Sequence, residues 1–255
     1  MGIADIKQEL KNIDCTDESA LINFINCYET DERAGVISTV NSAKKKLDDL
    51  HKEIERSYKM LSFERKYYEM GYQYICGIDE VGRGPLAGPV VTCAVILPKD
   101  ETILYLNDSK QVSKKKREEL YEIILDKAVA YSIGISSEEV IDDINILQAT
   151  YQAMRMSIDN LKVKPDILLN DAVKIPNVNI HQVPIIKGDT LSASIAAASI
   201  VAKVTRDKIM QEYDSLYPEY GFADNVGYGS AKHIEAIKKY GPTPIHRKTF
   251  IKNFV

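Results

Sequence analysis

No stretch of this 255-residue chain approaches the ~18 consecutive apolar residues of a membrane span. The most apolar window, residues 195–204, is alanine-rich and carries Lys203. The N-terminus, MGIADIKQEL, lacks the basic-then-apolar pattern of a secretory signal, and Ile6 stands where a myristoylation motif takes Ser or Thr. Cysteine is scarce: Cys15, Cys27, Cys76 and Cys93 show no CxxC spacing, which argues against a zinc site or a disulfide framework. The expectation is four small core residues in a reducing compartment, with the cytoplasm as default location. Phosphate-cradling GxxxxGK[ST] is absent, which disfavours a nucleotide enzyme or phosphatase of that type. There is no internal repeat and no low-complexity tract.

Composition is that of a soluble globular protein, with 45% apolar and 27% charged residues. A net charge of −4 argues only weakly against a nucleic-acid partner, because the charge is uneven. Residues 1–40 hold eight acids and three bases, whereas residues 228–255 hold six bases, one acid and two histidines. A basic C-terminal patch on an acidic chain can still meet phosphates.

Residues 1–70 read as an N-terminal helical extension. Leu47, Leu50, Ile54, Tyr58 and Leu61 recur at steps of three and four, and no glycine interrupts 36–70. Lys44-Lys45-Lys46 is either a solvated helix face or a phosphate-binding one. From residue 72 strands and helices alternate over a second region, 71–255. Strands are expected over 72–79, 90–97, 131–135 and 166–171. Ser113 reads as the cap of a helix to Lys127. A short helix opens at 136–139 and a longer one covers 145–161, while 191–215 is helical with small side chains suited to close packing on a sheet.

The most informative segment is QYICGIDEVGRGPLAGP, residues 73–89. An apolar strand runs into Asp79 and Glu80, and a turn follows with one cation in it, Gly82-Arg83-Gly84. Side chains alternate along a strand, so the two acids can share a site only if one sits at the strand end. A carboxylate at a buried strand end is costly unless compensated, and a divalent cation is the usual compensation. Asp171 repeats the pattern after Ile167-Leu168-Leu169. Asp189 follows a third apolar run, either as a fourth acid or as the cap of the next helix. Four carboxylates with no His/Cys cluster beside them favour Mg²⁺ or Mn²⁺ over zinc, and two such ions suit in-line phosphoryl chemistry. Softer candidates are Lys110, for a substrate phosphate, and Lys203 with Arg206, at i and i+3 on one helix side. His233 and His246 are expected to make structural hydrogen bonds, not to act as general bases.

The string GIDEVGRGPLAGPVV, the following Asp108-Ser109-Lys110, Asp171, the block GDTLSASIAAASIVAKVTRD and the tail GYGSAKH…GPTPIHRKTF resemble bacterial ribonuclease HII over residues 73–255. Residues 1–70 are similar to the helical extension of some bacterial members. The resemblance implies an α/β fold, a ribonuclease H-like mixed sheet flanked by helices, with a C-terminal helical segment that binds substrate. It implies a metal-dependent endoribonuclease that cuts 5′ of a ribonucleotide in RNA–DNA hybrids or duplex DNA, leaving 3′-hydroxyl and 5′-phosphate. Apart from the resemblance, a monomer is expected. Asp79, Glu80, Asp171 and Asp189 match the four acidic positions. Gly82-Arg83-Gly84 matches the turn whose backbone contacts the ribose 2′-hydroxyl, and Tyr228 the tyrosine packed against the deoxyribose on its 3′ side. Alternatives are a type III ribonuclease H acting on long hybrids, whose relatives usually carry Lys at the position of Arg83, and a non-catalytic nucleic-acid-binding relative.

Overall fold

A computed structural model describes residues 1–254 and divides into two compact units, Met1–Lys59 and Met60 onward. The first unit is helical: α1 Ile3–Asn12, α2 Glu18–Tyr28 and most of α3 Ala34–Met60. Asp17 caps α2, its side chain accepting from Ala20 N–H at 2.9 Å. The buried positions of α3 are Val36, Val40, Ala43, Leu50 and Met60, joined by the polar Thr39 and Ser57. Ile54 and Tyr58 of the expected stripe are instead exposed. Leu50 and Leu61 of that stripe are buried, so the spacing named the inward face, but that face is left uncovered at Ile54 and Tyr58.

The second unit begins with α4 Ser62–Glu69 and is built on a five-stranded sheet. The strands are β1 Ile75–Val81, β2 Val90–Ile96, β3 Ala130–Ser136, β4 Ile167–Asp171 and β5 His181–Ile185, in the order β3-β2-β1-β4-β5. β1, β2 and β3 pair antiparallel, while β1, β4 and β5 pair parallel. The sheet is thus mixed and the fold ribonuclease H-like, as expected. Parallel pairing brings the C-terminal ends of β1, β4 and β5 to one edge, where open α/β sheets bind ligands.

Helices cover both faces. α5 Lys114–Lys127 and α8 Ala193–Leu216 lie on the side of Val91, Cys93 and Val95. α6 Glu138–Asp159 packs on Cys76, Ile78, Ala94 and Ile96. Within α6, Asn145 has φ 66° and ψ 163°, so the two helices read from the sequence are present and joined at a kink. The small residues of α8 allow very close approach: a Cβ on Gly77 would stand 2.1 Å from the Ser194 carbonyl carbon. Between β5 and α8 lies the four-residue α7 Gly188–Leu191. After α8 come α9 Phe222–Asn225, α10 Ala231–Tyr240 and α11 Lys248–Ile251. These close a separate core of Ala87, Met210, Tyr220, Phe222, Ile237, Ile245 and Ile251. Cys76 and Cys93 are buried in β1 and β2, but Cys15 and Cys27 are exposed, against the expectation of four core thiols.

Candidate active site

β1 does not stop at Asp79. It continues to Val81, with Asp79 opposite Cys93 and Glu80 opposite Thr92 on β2. On its other flank, pairing with β4 ends at Ile78 opposite Asn170. The acid pair is therefore held in the ladder on one side and open on the other. This lets two neighbours that alternate faces line one cleft. Asp171 ends β4 one register step beyond Asn170, and its Oδ1 accepts from Gly188 N–H at 2.8 Å. That bond ties the end of β4 to α7, which carries Asp189. Asp189 does not cap α8; Ser192 does, accepting from Ile195 N–H at 3.3 Å.

The four acids line one cleft of about 370 Å³ together with Val81, Ser109, Lys110, Ser199, Lys203 and Tyr228. Asp79 is buried, and its carboxyl is held well above the usual carboxylate range, first by burial and then by Glu80. The nearby Ser199 hydroxyl and the Glu80 N–H on its Oδ1, at 2.7 Å, oppose that rise. Burial also raises Glu80, although Arg83 donates to its Oε1 at 3.1 Å. The other oxygen, Oε2, is buried and has no hydrogen-bond partner. Asp189 is raised by partial burial and by Asp171.

Carboxylates held toward their neutral form, with one orphaned buried oxygen, make a donor set that fits a hard divalent cation. As the side chains stand, no three His, Cys, Asp or Glu residues among the described residues are grouped tightly enough to ligate one ion. Glu80 Oε1 is turned to Arg83 and Asp171 Oδ1 to the Gly188 N–H.

The turn after β1 borders the cleft. Gly82 has φ 91°, and a Cβ there would stand 2.3 Å from Nε of Arg206, so neither backbone nor space admits another residue. Arg83 and Gly84 are exposed. A Cβ on Gly84 would lie 3.6 Å from Cε1 of Tyr228, so turn and ring are neighbours, and Tyr228 is 46% exposed. Lys110 stands on the cleft wall in a turn closed by its N–H donating to Asp108 at 2.9 Å. Arg117 supports that turn through the Ser109 carbonyl at 2.7 Å. Lys203 also lines the cleft, ion-paired with Asp207 at 2.7 Å.

Arg206 does not share that position. It is fully buried and donates to the carbonyls of Pro89, Val226 and Ala87 at 3.0, 2.8 and 3.1 Å. The i, i+3 spacing put it beside Lys203 on a phosphate-facing side, but an interior guanidinium saturated by backbone carbonyls meets no substrate. His233 and His246 are buried and joined at 3.0 Å through their Nε2 atoms, with Nδ1 of His233 at 2.8 Å from the Tyr228 carbonyl. They serve structure, as expected.

Sequence reasoning passed over Ser199, which lines the cleft and donates to Ser109 Oγ at 3.1 Å, and Glu64 on α4. Glu64 is buried; its Oε1 accepts from Ser192 Oγ at 2.6 Å and Ser194 N–H at 2.9 Å. It thereby fixes the start of α8, three residues beyond Asp189. Ser199 left only the small-residue pattern as a signal, and Glu64 sat in a helix whose acids read as solvated.

The description "Ribonuclease HII" matches residues 76–253, and "Ribonuclease HII N-terminal domain" matches residues 2–68. Ribonuclease HII of Lachnoclostridium phytofermentans is 56% identical over 248 residues, 97% of each chain. That of Clostridioides difficile is 52% identical over 254 residues, covering 100% of this chain and 98% of its own. The solved ribonuclease H2 from Pyrococcus horikoshii OT3 superposes with a TM-score of 0.60 at 25% identity, over 71% of this chain and 96% of its own.

Proposed function

The chain belongs to the ribonuclease HII family, a type 2 ribonuclease H and thus an endoribonuclease, and from that premise we propose that it cuts the phosphodiester on the 5′ side of a ribonucleotide within duplex DNA. The relatives' names do not favour the type III alternative. Products would be 3′-hydroxyl and 5′-phosphate, and single embedded ribonucleotides and RNA–DNA junctions the preferred substrates.

One observation carries this reading: three carboxylates at the ends of β1 and β4 and a fourth on α7 line one cleft with the exposed Tyr228, and the Gly-Arg-Gly turn lies against that ring. Ribonucleases H depend on divalent metal, and Asp79, Glu80, Asp171 and Asp189 would hold it as two Mg²⁺ or Mn²⁺ ions. Such ions, when bound, activate water and neutralise charge at the scissile phosphate. The chain's own groups orient that chemistry. The Glu80 amide fixes the Asp79 carboxylate. The Gly188 amide fixes Asp171. Lys110 and Lys203, which line the same cleft, would take flanking phosphates.

Amides of the 82–84 turn would meet the 2′-hydroxyl, the group that separates RNA from DNA. The Tyr228 ring would stack on the next sugar, where a 2′-hydroxyl would crowd it. The protein would act as a monomer. Among the described residues no helix is long and apolar enough to cross a membrane, and the proposed site of action is the cytoplasm. For residues 1–70 we propose a role in duplex affinity, through the exposed Lys44 and Lys45 of α3.

Mapping the cut in a duplex that holds one ribonucleotide tests the reading. Nicking immediately 5′ of that nucleotide, dependent on Mg²⁺, is expected. Cleavage confined to long RNA–DNA hybrids would overturn it.

A further inference from the structure

Arg247, in the motif Pro244-Ile245-His246-Arg247, lies in the basic tail but is fully buried and faces no phosphate. Its guanidinium grips the turn that follows β1. Nη2 donates to the Gly82 carbonyl at 2.5 Å and to the Gly88 carbonyl at 2.7 Å. Nη1 donates to the Arg83 carbonyl at 2.9 Å, and Nε to Gly88 again at 2.9 Å. The Phe250 ring lies 5.2 Å from the guanidinium carbon. Backbone pairing joins the same segments: Arg247 N–H donates to Leu86 and Gly88 N–H to Ile245, each at 2.9 Å.

Holding these carbonyls has a geometric consequence. In a trans peptide the C=O and the following N–H point in opposite directions, and every peptide bond here is trans. With the Gly82 and Arg83 carbonyls drawn in to Arg247, the N–H groups of Arg83 and Gly84 are turned away from it. Neither amide donates a hydrogen bond among the described residues. On the outer side, the Gly84 Cα faces the Tyr228 ring. Two adjacent free donors thus sit beside the cleft, aimed by one buried side chain. The planar fork of arginine reaches three carbonyls at once, which an ammonium on a flexible stem cannot do.

We infer that Arg247 is the positioning residue for ribonucleotide recognition: by clamping the carbonyls of Gly82 and Arg83 it aims the Arg83 and Gly84 amides at the ribose. It touches no substrate and acts through the turn. The inference rests on the junction-reading role proposed for that turn.

The test uses the full-length chain carrying Asp79→Asn to stop turnover, in Mg²⁺, with two duplexes that differ only in one embedded ribonucleotide. Adding Arg247→Lys is expected to lower the preference for the ribonucleotide duplex about tenfold, the effect of losing one or two hydrogen bonds, and to leave affinity for the all-DNA duplex nearly unchanged. A merely structural role would weaken both duplexes together or lower Tm without moving their ratio; an unmoved ratio in a folded Arg247→Lys chain overturns the inference. Hydrogen exchange in the Arg247 parent needs no folded variant. The Arg83 and Gly84 amides are expected to exchange fast in the free protein and to be protected by the ribonucleotide duplex. Slow exchange in the free protein would mean that both amides are used internally, and would also overturn it. A parent that binds both duplexes equally would instead overturn the junction-reading role. Arg247 would then stand or fall on exchange in the free protein.

Discussion

The acids at the strand ends and the arginines beneath the adjacent turn are both buried charges, and they are treated in opposite ways. Arg206 and Arg247 have every guanidinium nitrogen on a backbone carbonyl. Burial pulls them down to about 10 and about 9, which leaves both charged at neutral pH. Asp79 is raised by burial and by Glu80, Glu80 by burial and by Asp171, and Glu80 keeps an oxygen with no partner. A saturated buried charge is a piece of scaffold. A buried charge left short of partners, at the mouth of a cleft, is a place where something binds. The two regions lie on either side of Gly82, so the chain passes from one regime to the other within a few residues.

Asp79→Asn is the strongest way to break this contrast. Turnover is expected to fall by at least about a thousandfold, roughly 4 kcal/mol of transition-state stabilisation, with duplex binding largely kept; wild-type-like rates in Mg²⁺ would refute the role of the acid. Stability should move the other way. The folded-state pKa of Asp79 is raised, so its ionisation costs stability as pH climbs above the ordinary carboxylate range. In EDTA at neutral pH the asparagine variant is expected to melt a few degrees higher, about 1 kcal/mol, and the gain should shrink as pH falls. Calorimetry over a pH series checks both the sign and the window.

Glu64 tests the comparison, being a buried acid on a scaffold helix away from the cleft lining, with two bonds from Oε1 to the start of α8 but, like Glu80, an Oε2 without a partner. Glu64→Ala leaves the Ser194 N–H and the Ser192 hydroxyl without that acceptor, and should cost about 2–3 kcal/mol by denaturant melts. Glu64→Gln keeps an acceptor at the same place and should cost less than about 1 kcal/mol. Equal losses in the two variants would show that its packing, not its hydrogen bonds, matters. The smallest effect is expected from exposed charge. Lys44→Gln with Lys45→Gln should raise KM on duplex by no more than a few-fold, mostly at low salt, by loss of one or two phosphate contacts. An unchanged KM at low salt would remove these lysines from duplex binding.

Much of the site was legible because metal chemistry demands acids, and acids at the ends of apolar runs are conspicuous. Asp79, Glu80, Asp171 and Asp189 stood out one by one, and parallel pairing of β1, β4 and β5 brought their strand ends to one edge. Tyr228 was placed by resemblance, and the short distance to Gly84 supplied the geometry. Arg206 was misjudged for the reason Ile54 was: helical spacing says which residues share a face but not what that face meets. Glu64 and Arg247 were illegible as clamps because their partners are 128 to 165 residues away and are mostly backbone groups, which carry no sequence signal.

The sequence by itself therefore determined the strand and helix alternation, the four acids and the glycine turn. These follow from local periodicity, from the cost of burying a carboxylate and from the conformational freedom of glycine. Only the tertiary structure decided which cations face the cleft and which are sealed beneath it, and which way the amides of the turn point. Those depend on where distant backbone carbonyls come to rest once the C-terminal segment has packed against the turn.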